Sequence, residues 1–234
     1  MPVWEAWEAH ASEWIEWARR PNHDGFWDGT WPELQASLPL PAELTLEIGC
    51  GEGRFSRELE RIGHRVVAVE RSPALAHAAR WHDCPARVAL ADAGHLPVRD
   101  KAVDLLVSCM SLHDIDDIEA MLGEARRVLR DGGAFSIAML HPFTTAHDPE
   151  TLYRPEAPPT AQYLEERQFE QRSVRDGLAM TFTSIHRPLG TYIRAFVRWG
   201  FVLEHLDETG STPIPWRLTV RLRKVESTMQ DGSR

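Results

Sequence analysis

Residues 44–55, LTLEIGCGEGRF, place glycine at positions 49, 51 and 53 directly after a short apolar run, with Glu47 two residues ahead of the first glycine. Glycine tolerates positive φ and leaves its backbone N–H open, so a strand that breaks into such a turn before a helix lets a ligand come close to the main chain. Acids stand at comparable places further on: Glu70 closes RVVAVE, and Asp92 follows ARVAL in the stretch ALADAG. Carboxylates at strand ends accept hydrogen bonds from hydroxyl and amino groups, each worth about 1.5–3 kcal/mol against removal of one partner. Histidines offer proton-transfer chemistry. His113 follows the fourth apolar run, His141 the fifth, and His186 precedes Arg187-Pro188; ligands of open α/β sheets bind beyond the carboxyl ends of strands. Asp114 and Asp116 have a simpler role available, as caps of the helix that follows.

The glycine spacing discriminates among ligands. A dinucleotide fingerprint, G-x-G-x-x-G, needs its third glycine for close helix–strand packing. Counted from Gly49, that position is Arg54, and no Tyr-x-x-x-Lys or similar hydride-transfer set is present. Both points weigh against a nicotinamide dehydrogenase.

The elements that must position these groups read as strands at 44–48, 65–70, 86–90, 103–108 and 133–140, alternating with helical patterns. Such alternation predicts βαβ units and a mostly parallel, doubly wound sheet. Between 116 and 130, Ile118, Met121, Leu122, Ala125, Val128 and Leu129 form one apolar helical face, with acids in the first turn, arginines near the last, and Gly132-Gly133 placed to stop it. Residues 141–187 are proline-rich early, then read as a hairpin with Asp176-Gly177 at its turn, a pair suited to two positive φ angles. A helix at about 188–199 and strands at 201–206 and 216–225 complete the sheet.

Six of the nine tryptophans lie in the first 40 residues. Trp4, Trp7, Ala11, Trp14 and Ala18 have the spacing of one amphipathic helix packed on the main domain. Trp17, Phe26 and Trp27, nearer the loop that follows, are placed to act as a lid that desolvates the site.

At this point the sequence resembles the class I S-adenosylmethionine (SAM)-dependent methyltransferases, in their small-molecule branch with a type 11-like domain. LEIGCGEGRF is similar to that family's first motif, an acid followed by G-x-G-x-G; VVAVERS to the second; ALADAGHLPV to the third; and AVDLLVSCMSLHDIDD with EARRVLRDGGAFSIAM to the fourth strand, helix and fifth strand. The resemblance covers residues 42–140 closely and the later segment loosely. It implies a Rossmann-like, seven-stranded sheet with helices on both faces and an N-terminal helical cap. It implies SAM as cofactor, S-adenosylhomocysteine as product and no metal. Glu70 would then hold the ribose hydroxyls, Asp92 with Ala93 the adenine, and Glu47 the loop or the SAM amino group; Gly49, Gly51, Gly53, Arg71 and Ser108 complete the implied cofactor contacts. His113 and His141 are the candidates for a catalytic or acceptor-contacting role, and Trp17, Phe26, Trp27 and His186 for acceptor or lid contacts.

The expected organisation is a cap or lid over 1–40, a methyltransferase domain over 41–225 with an insertion at about 141–187 that shapes the acceptor pocket, and a tail at 226–234. Methyl transfer from a sulfonium is an in-line displacement by an already activated donor, so positioning is the main requirement and no dedicated base is obligatory. The fourth-strand segment reads SCMSL where methyltransferases of nucleic-acid bases carry (D/N)PP(Y/F), and the net charge of −9 lacks the basic surface that holds a phosphate backbone. Both features point to a small-molecule acceptor rather than nucleic acid. Retained alternatives are a SAM-binding sensor or scaffold without transferase activity, and a protein or RNA methyltransferase. Cys50, Cys84 and Cys109 lack CxxC spacing and read as reduced thiols. The N-terminus carries acids where a secretory signal is basic, and no apolar run reaches the roughly 18 residues of a membrane span, so the expectation is a cytoplasmic monomer or homodimer away from membranes.

Overall fold

The computed structural model describes residues 1–81, 86–147, 163–210 and 214–226. Helices α1 (Val3–Ala9) and α2 (Ala11–Arg19), a π-helical turn at Phe26–Thr30 and α3 (Trp31–Ser37) come first. The alternating part follows as β1 (Thr45–Ile48), α4 (Arg54–Arg61), β2 (Val66–Glu70), α5 (Pro73–Trp81), β3 (Arg87–Leu90), β4 (Val103–Cys109), α6 (Ile118–Val128) and β5 (Leu129–Leu140). Then come α7 (Pro142–Thr145), the strands β6 (Arg167–Arg175) and β7 (Leu178–His186), α8 (Leu189–Arg198), β8 (Phe201–Thr209) and β9 (Arg217–Lys224).

Seven strands form one sheet in the order β3-β2-β1-β4-β5-β9-β8. The first five run parallel and β9 inserts antiparallel between β5 and β8. This is the expected mostly parallel, doubly wound sheet. Each strand of the middle is apolar on both sides because helices cover both. Leu46, Ile48, Leu106, Phe135 and Ile137 meet Met121, Leu122 and Ala125 of α6 and Tyr192 and Phe196 of α8. On the opposite face Leu105, Val107, Ala134 and Ala138 meet Phe55 and Leu59 of α4 together with Phe26, Trp31 and Leu34 of the N-terminal segment. Part of that segment is therefore core.

Helix α6 keeps the apolar face expected of it, but its ends differ in detail. Asp117 is the N-cap: its carboxylate accepts from Ala120 N at 2.9 Å, while Asp116 accepts from Val3 N and Asp114 from Ser184 Oγ. The helix stops at Val128, and Leu129, already extended, opens β5 without a glycine cap. Gly132 and Gly133 lie inside β5, where the register jumps from Val103 opposite Leu129 to Leu105 opposite Ala134. The looped-out residues leave Arg130 to bond Asp104 and Glu43, and a Cβ on Gly133 would lie 2.9 Å from the Arg130 carbonyl. Glycine is needed there for a bulge rather than a helix end.

The N-terminal tryptophan pattern forms two helices rather than one. The break at His10 (φ −104°, ψ 14°) separates α1 from α2, and both reach β7: the Trp7 indole N–H donates to Thr183 O at 3.0 Å and Glu13 on α2 accepts from Thr181 N at 3.1 Å, while Arg19 on α2 also pairs with Glu52 at 3.0 Å. The hairpin β6–β7 follows the sequence reading closely: Arg175 pairs with Leu178, and Asp176 and Gly177 take φ of 50° and 80°, the two-residue turn whose twist suits a hairpin. The proline-rich stretch at 148–162, Cys84 and residues 227–234 of the expected tail lie outside the described residues. Among the described residues no helix is long and apolar enough to cross a membrane.

Leu122 is fully buried at the contact between α6 and the sheet. Leu122→Ala is expected to cost about 2–5 kcal/mol, read as a lower midpoint in urea denaturation with unchanged slope.

Candidate functional site

A cavity of about 940 Å³ runs along the carboxyl ends of the strands, with β3, β2 and β1 at one end and β4, β5 and β9 at the other. Helices α1 and α2 and the hairpin β6–β7 roof it. The β1–α4 turn forms its floor. Gly49 and Gly51 there have φ of 72° and 56°, and each is pressed by a neighbour: a Cβ on Gly49 would lie 2.6 Å from Ser111 Cβ, and one on Gly51 3.2 Å from the Trp14 indole nitrogen. Side chains are thus excluded both by backbone angle and by space.

Glu70, at the tip of β2, ties that turn to the next strand. One carboxylate oxygen accepts from Gly51 N and the other from Ser72 N, both at 2.8 Å. Burial raises its pKa, opposed by those N–H groups. Glu47, on β1, accepts a hydrogen bond from Ser56 Oγ on α4 and has no ion pair among the described residues; burial pushes its pKa up to about 8. Next to it Glu52, also buried, is claimed by Arg19 and Arg57. Asp92 beyond β3 accepts from Gly94 N at 2.7 Å and pairs with Arg71, whose guanidinium lies 4.9 Å over the Trp4 ring. Ala93 lines the cavity beside it.

The β4–β5 end is aromatic. Trp7, Trp14, Trp17 and Phe182 meet edge to face at centroid distances of 5.6–6.2 Å, and Phe26, Phe169 and Trp216 extend the wall. Arg54 lies over Phe26 at 4.1 Å and binds Asp24 at 2.7 Å, and Arg217 binds Glu33 at 2.6 Å. Gln171 and Ser173 of β6 supply neutral polar groups, and the solvent-exposed Arg172 and Arg175 of the same strand line the cavity as well.

His113 lines this end and is 4% exposed. Its Nδ1 has no hydrogen-bond partner, and Asp114 stands 3.7 Å from Nε2, too far to orient it. Burial, with Arg187 adding to it, pulls its pKa down to about 3. His113 is therefore a neutral imidazole. Asp114 is buried beside it, accepts from Ser184 Oγ at 2.6 Å, and is raised well above the usual carboxylate range by desolvation.

The structure brings Glu47, Gly49, Gly51, Glu70, Arg71, Asp92, Ala93, His113, Trp17 and Phe26 to one cavity. It keeps others away. His141 lies outside the lining: its Nδ1 accepts from Phe143 N at the start of α7, and Nε2 meets Glu208 at 2.7 Å. His186 is wholly buried between Thr145 Oγ1 and the Tyr163 carbonyl. Trp27 is 41% exposed beyond Phe26. Gly53 serves as the left-handed N-cap of α4. Ser108 acts one step removed, bonding Ser111 Oγ at 2.8 Å, which in turn donates to Ile48 O beneath Gly49. Ser111 and the β6 residues Phe169 and Gln171 were not named as site residues by sequence, and Trp14 was read only as packing on the main domain; they reach the cavity through the packing of roof on floor. Among the described residues no cluster of three or more His, Cys, Asp or Glu side chains could hold a metal.

Comparison with known proteins agrees with this geometry. Residues 46–137 match the family model described as a methyltransferase domain. The malonyl-[acyl-carrier protein] O-methyltransferase of Hamiltonella defensa is 33% identical over 107 residues, 46% of this chain and 42% of that protein. The ubiquinone biosynthesis O-methyltransferase of Xanthomonas oryzae is 28% identical over 151 residues, 56% of this chain and 62% of that protein. The chain thus spans less than two thirds of the length of either relative. A crystal structure of an S-adenosylmethionine-dependent methyltransferase from Mesorhizobium loti superimposes with a TM-score of 0.63 over 84% of this chain and 99% of that one at 23% identity, a likeness of fold.

Gly49→Ala should destabilise the protein by at least the roughly 1–2 kcal/mol of a left-handed non-glycine residue, with the collision against Ser111 adding to it. The check is the thermal unfolding midpoint, which a freely tolerant turn would leave unchanged.

Proposed function

Since residues 46–137 match a methyltransferase domain, we propose that the chain is a class I S-adenosylmethionine-dependent methyltransferase that binds SAM over the glycine turn and transfers the methyl group to a small-molecule acceptor held in the aromatic end of the same cavity. The observation that carries this reading is the continuity of the two ends. The floor offers a bare backbone bend with a carboxylate at the next strand's tip, and the wall beyond is aromatic, with Arg54 and Arg217 paired to Asp24 and Glu33.

In this reading the ribose hydroxyls donate to the lone pairs that Glu70 keeps after accepting from Gly51 and Ser72. The adenine lies by Asp92 and Ala93, with Arg71 and Trp4 beside it. Glu47 faces the amino acid portion. The acceptor atom, an oxygen, nitrogen or carbon, attacks the methyl carbon as the carbon–sulfur bond breaks, and the bonding pair stays on sulfur to give S-adenosylhomocysteine. Alignment of the three atoms and exclusion of water by the roof supply the catalysis, a positioning effect worth up to about 7–11 kcal/mol. His113, neutral across the working pH range, contacts the acceptor as a hydrogen-bonding group. The two relatives named above, both O-methyltransferases, favour oxygen as the methylated atom. The domain reading that goes with this is a cap over 1–40 and an acceptor-shaping insertion within 141–187, of which the hairpin is the described part.

Glu70→Ala is expected to weaken SAM binding about ten- to a hundredfold in titration calorimetry. Unchanged affinity would remove Glu70 from the donor site. Binding without turnover across a panel of hydroxylated aromatic and carboxylate acceptors would favour a non-catalytic SAM sensor.

A further inference from the structure

We propose that Glu47 exchanges its proton for the positive charge of the donor, so that SAM binding expels a proton from the floor of the cavity. The inference rests on the donor reading above and goes beyond it. The Glu47 carboxyl group is 1% exposed, lines the cavity and receives one hydrogen bond, from Ser56 Oγ. No lysine, arginine or histidine is within ion-pair distance of it among the described residues.

The groups facing Glu47 explain why it lacks a counter-charge. Helix α4 contributes Ser56 and Arg57, the glycine turn Glu52, β2 Glu70 and β4 Cys109. Arg57 is the nearest cation, and it is spent on Glu52, to which it bonds at 2.8 Å while Arg19 takes the other oxygen. Glu70 and Glu52 repel a further negative charge, and Cys109 stays a neutral thiol because burial raises its pKa. A desolvated carboxylate without a cation is costly, so the empty site holds Glu47 in its protonated form; the upward displacement of its pKa to about 8 agrees.

SAM brings an ammonium and a sulfonium against a single carboxylate. A cation in this cavity lowers the energy of ionised Glu47, the O–H bond breaks, the electron pair stays on the carboxylate and the proton passes to buffer. In the ion pair each charge gains the partner without which its burial would be costly. Linkage fixes the sign: affinity rises as pH rises toward the pKa of the empty site, by up to about tenfold per unit, and levels off above it.

Titration calorimetry of SAM into the full-length protein at pH 6.5, in phosphate and in imidazole buffer, tests this. The two buffers differ in ionisation enthalpy, so the expected result is a buffer-dependent binding heat corresponding to nearly one proton released. Glu47→Gln, which keeps the shape of the neutral acid, should keep the wild-type unfolding midpoint and bind SAM about tenfold more weakly, while losing both the proton release and the pH dependence. Buffer-independent heat in the wild type, or release that persists in Glu47→Gln, overturns the proposal. Absence of SAM binding by the wild type at any pH overturns instead the donor reading on which it stands.

Discussion

The site depends on a carboxylate that is shared between two backbone segments. Glu70 accepts from Gly51 on one side and Ser72 on the other, so the β1–α4 turn and the start of α5 are fixed relative to one another by a single side chain. A buried acid is normally a liability. Here two N–H groups offset part of that cost, and the same contacts hold the glycine turn open where a side chain would collide with Ser111 or Trp14. The bend has further support: Gly49 N and Cys50 N both reach Val69 O, Gly53 N reaches Cys50 O, and Ser111 Oγ donates to Ile48 O.

Much of the sheet was legible because its signals are local. A strand buried on both faces is continuously apolar, and β1, β2 and β4 begin and end within a residue of the expected limits. The Asp176-Gly177 turn carries its own conformational signature and folded as read. Gly132 and Gly133 misled because glycine serves both a helix end and a strand bulge. What separates the two is whether Arg130 finds partners across the sheet in Asp104 and Glu43, a matter of tertiary register. The helix break at His10 was equally hidden, since heptad-like spacing of tryptophans is indifferent to a kink between them.

The site divides along the same line. Residues anchored to strand ends, Glu47, Glu70 and Asp92, reach the cavity because topology brings those ends together. Residues chosen by type alone fared differently: His141 and His186 are engaged with Glu208, Thr145 and Tyr163. His113 reaches the wall, but with Nδ1 unpartnered and Asp114 too distant to orient it, it lacks the support that an imidazole needs to take up charge. Nothing in the sequence near residue 113 records that missing partner.

The roof and the floor are built from different parts of the chain. Glu8 and Arg19 fasten the N-terminal helices to α5 and the glycine turn, and Trp7 and Glu13 fasten them to the hairpin. On the reading proposed above, substitutions in the roof reshape the acceptor end of the cavity while the sheet and the glycine turn keep their own contacts. Trp14 is the exception, resting on Gly51 below and on Phe182 above. At that indole the two layers meet, and a replacement there is felt by the floor and the roof at once.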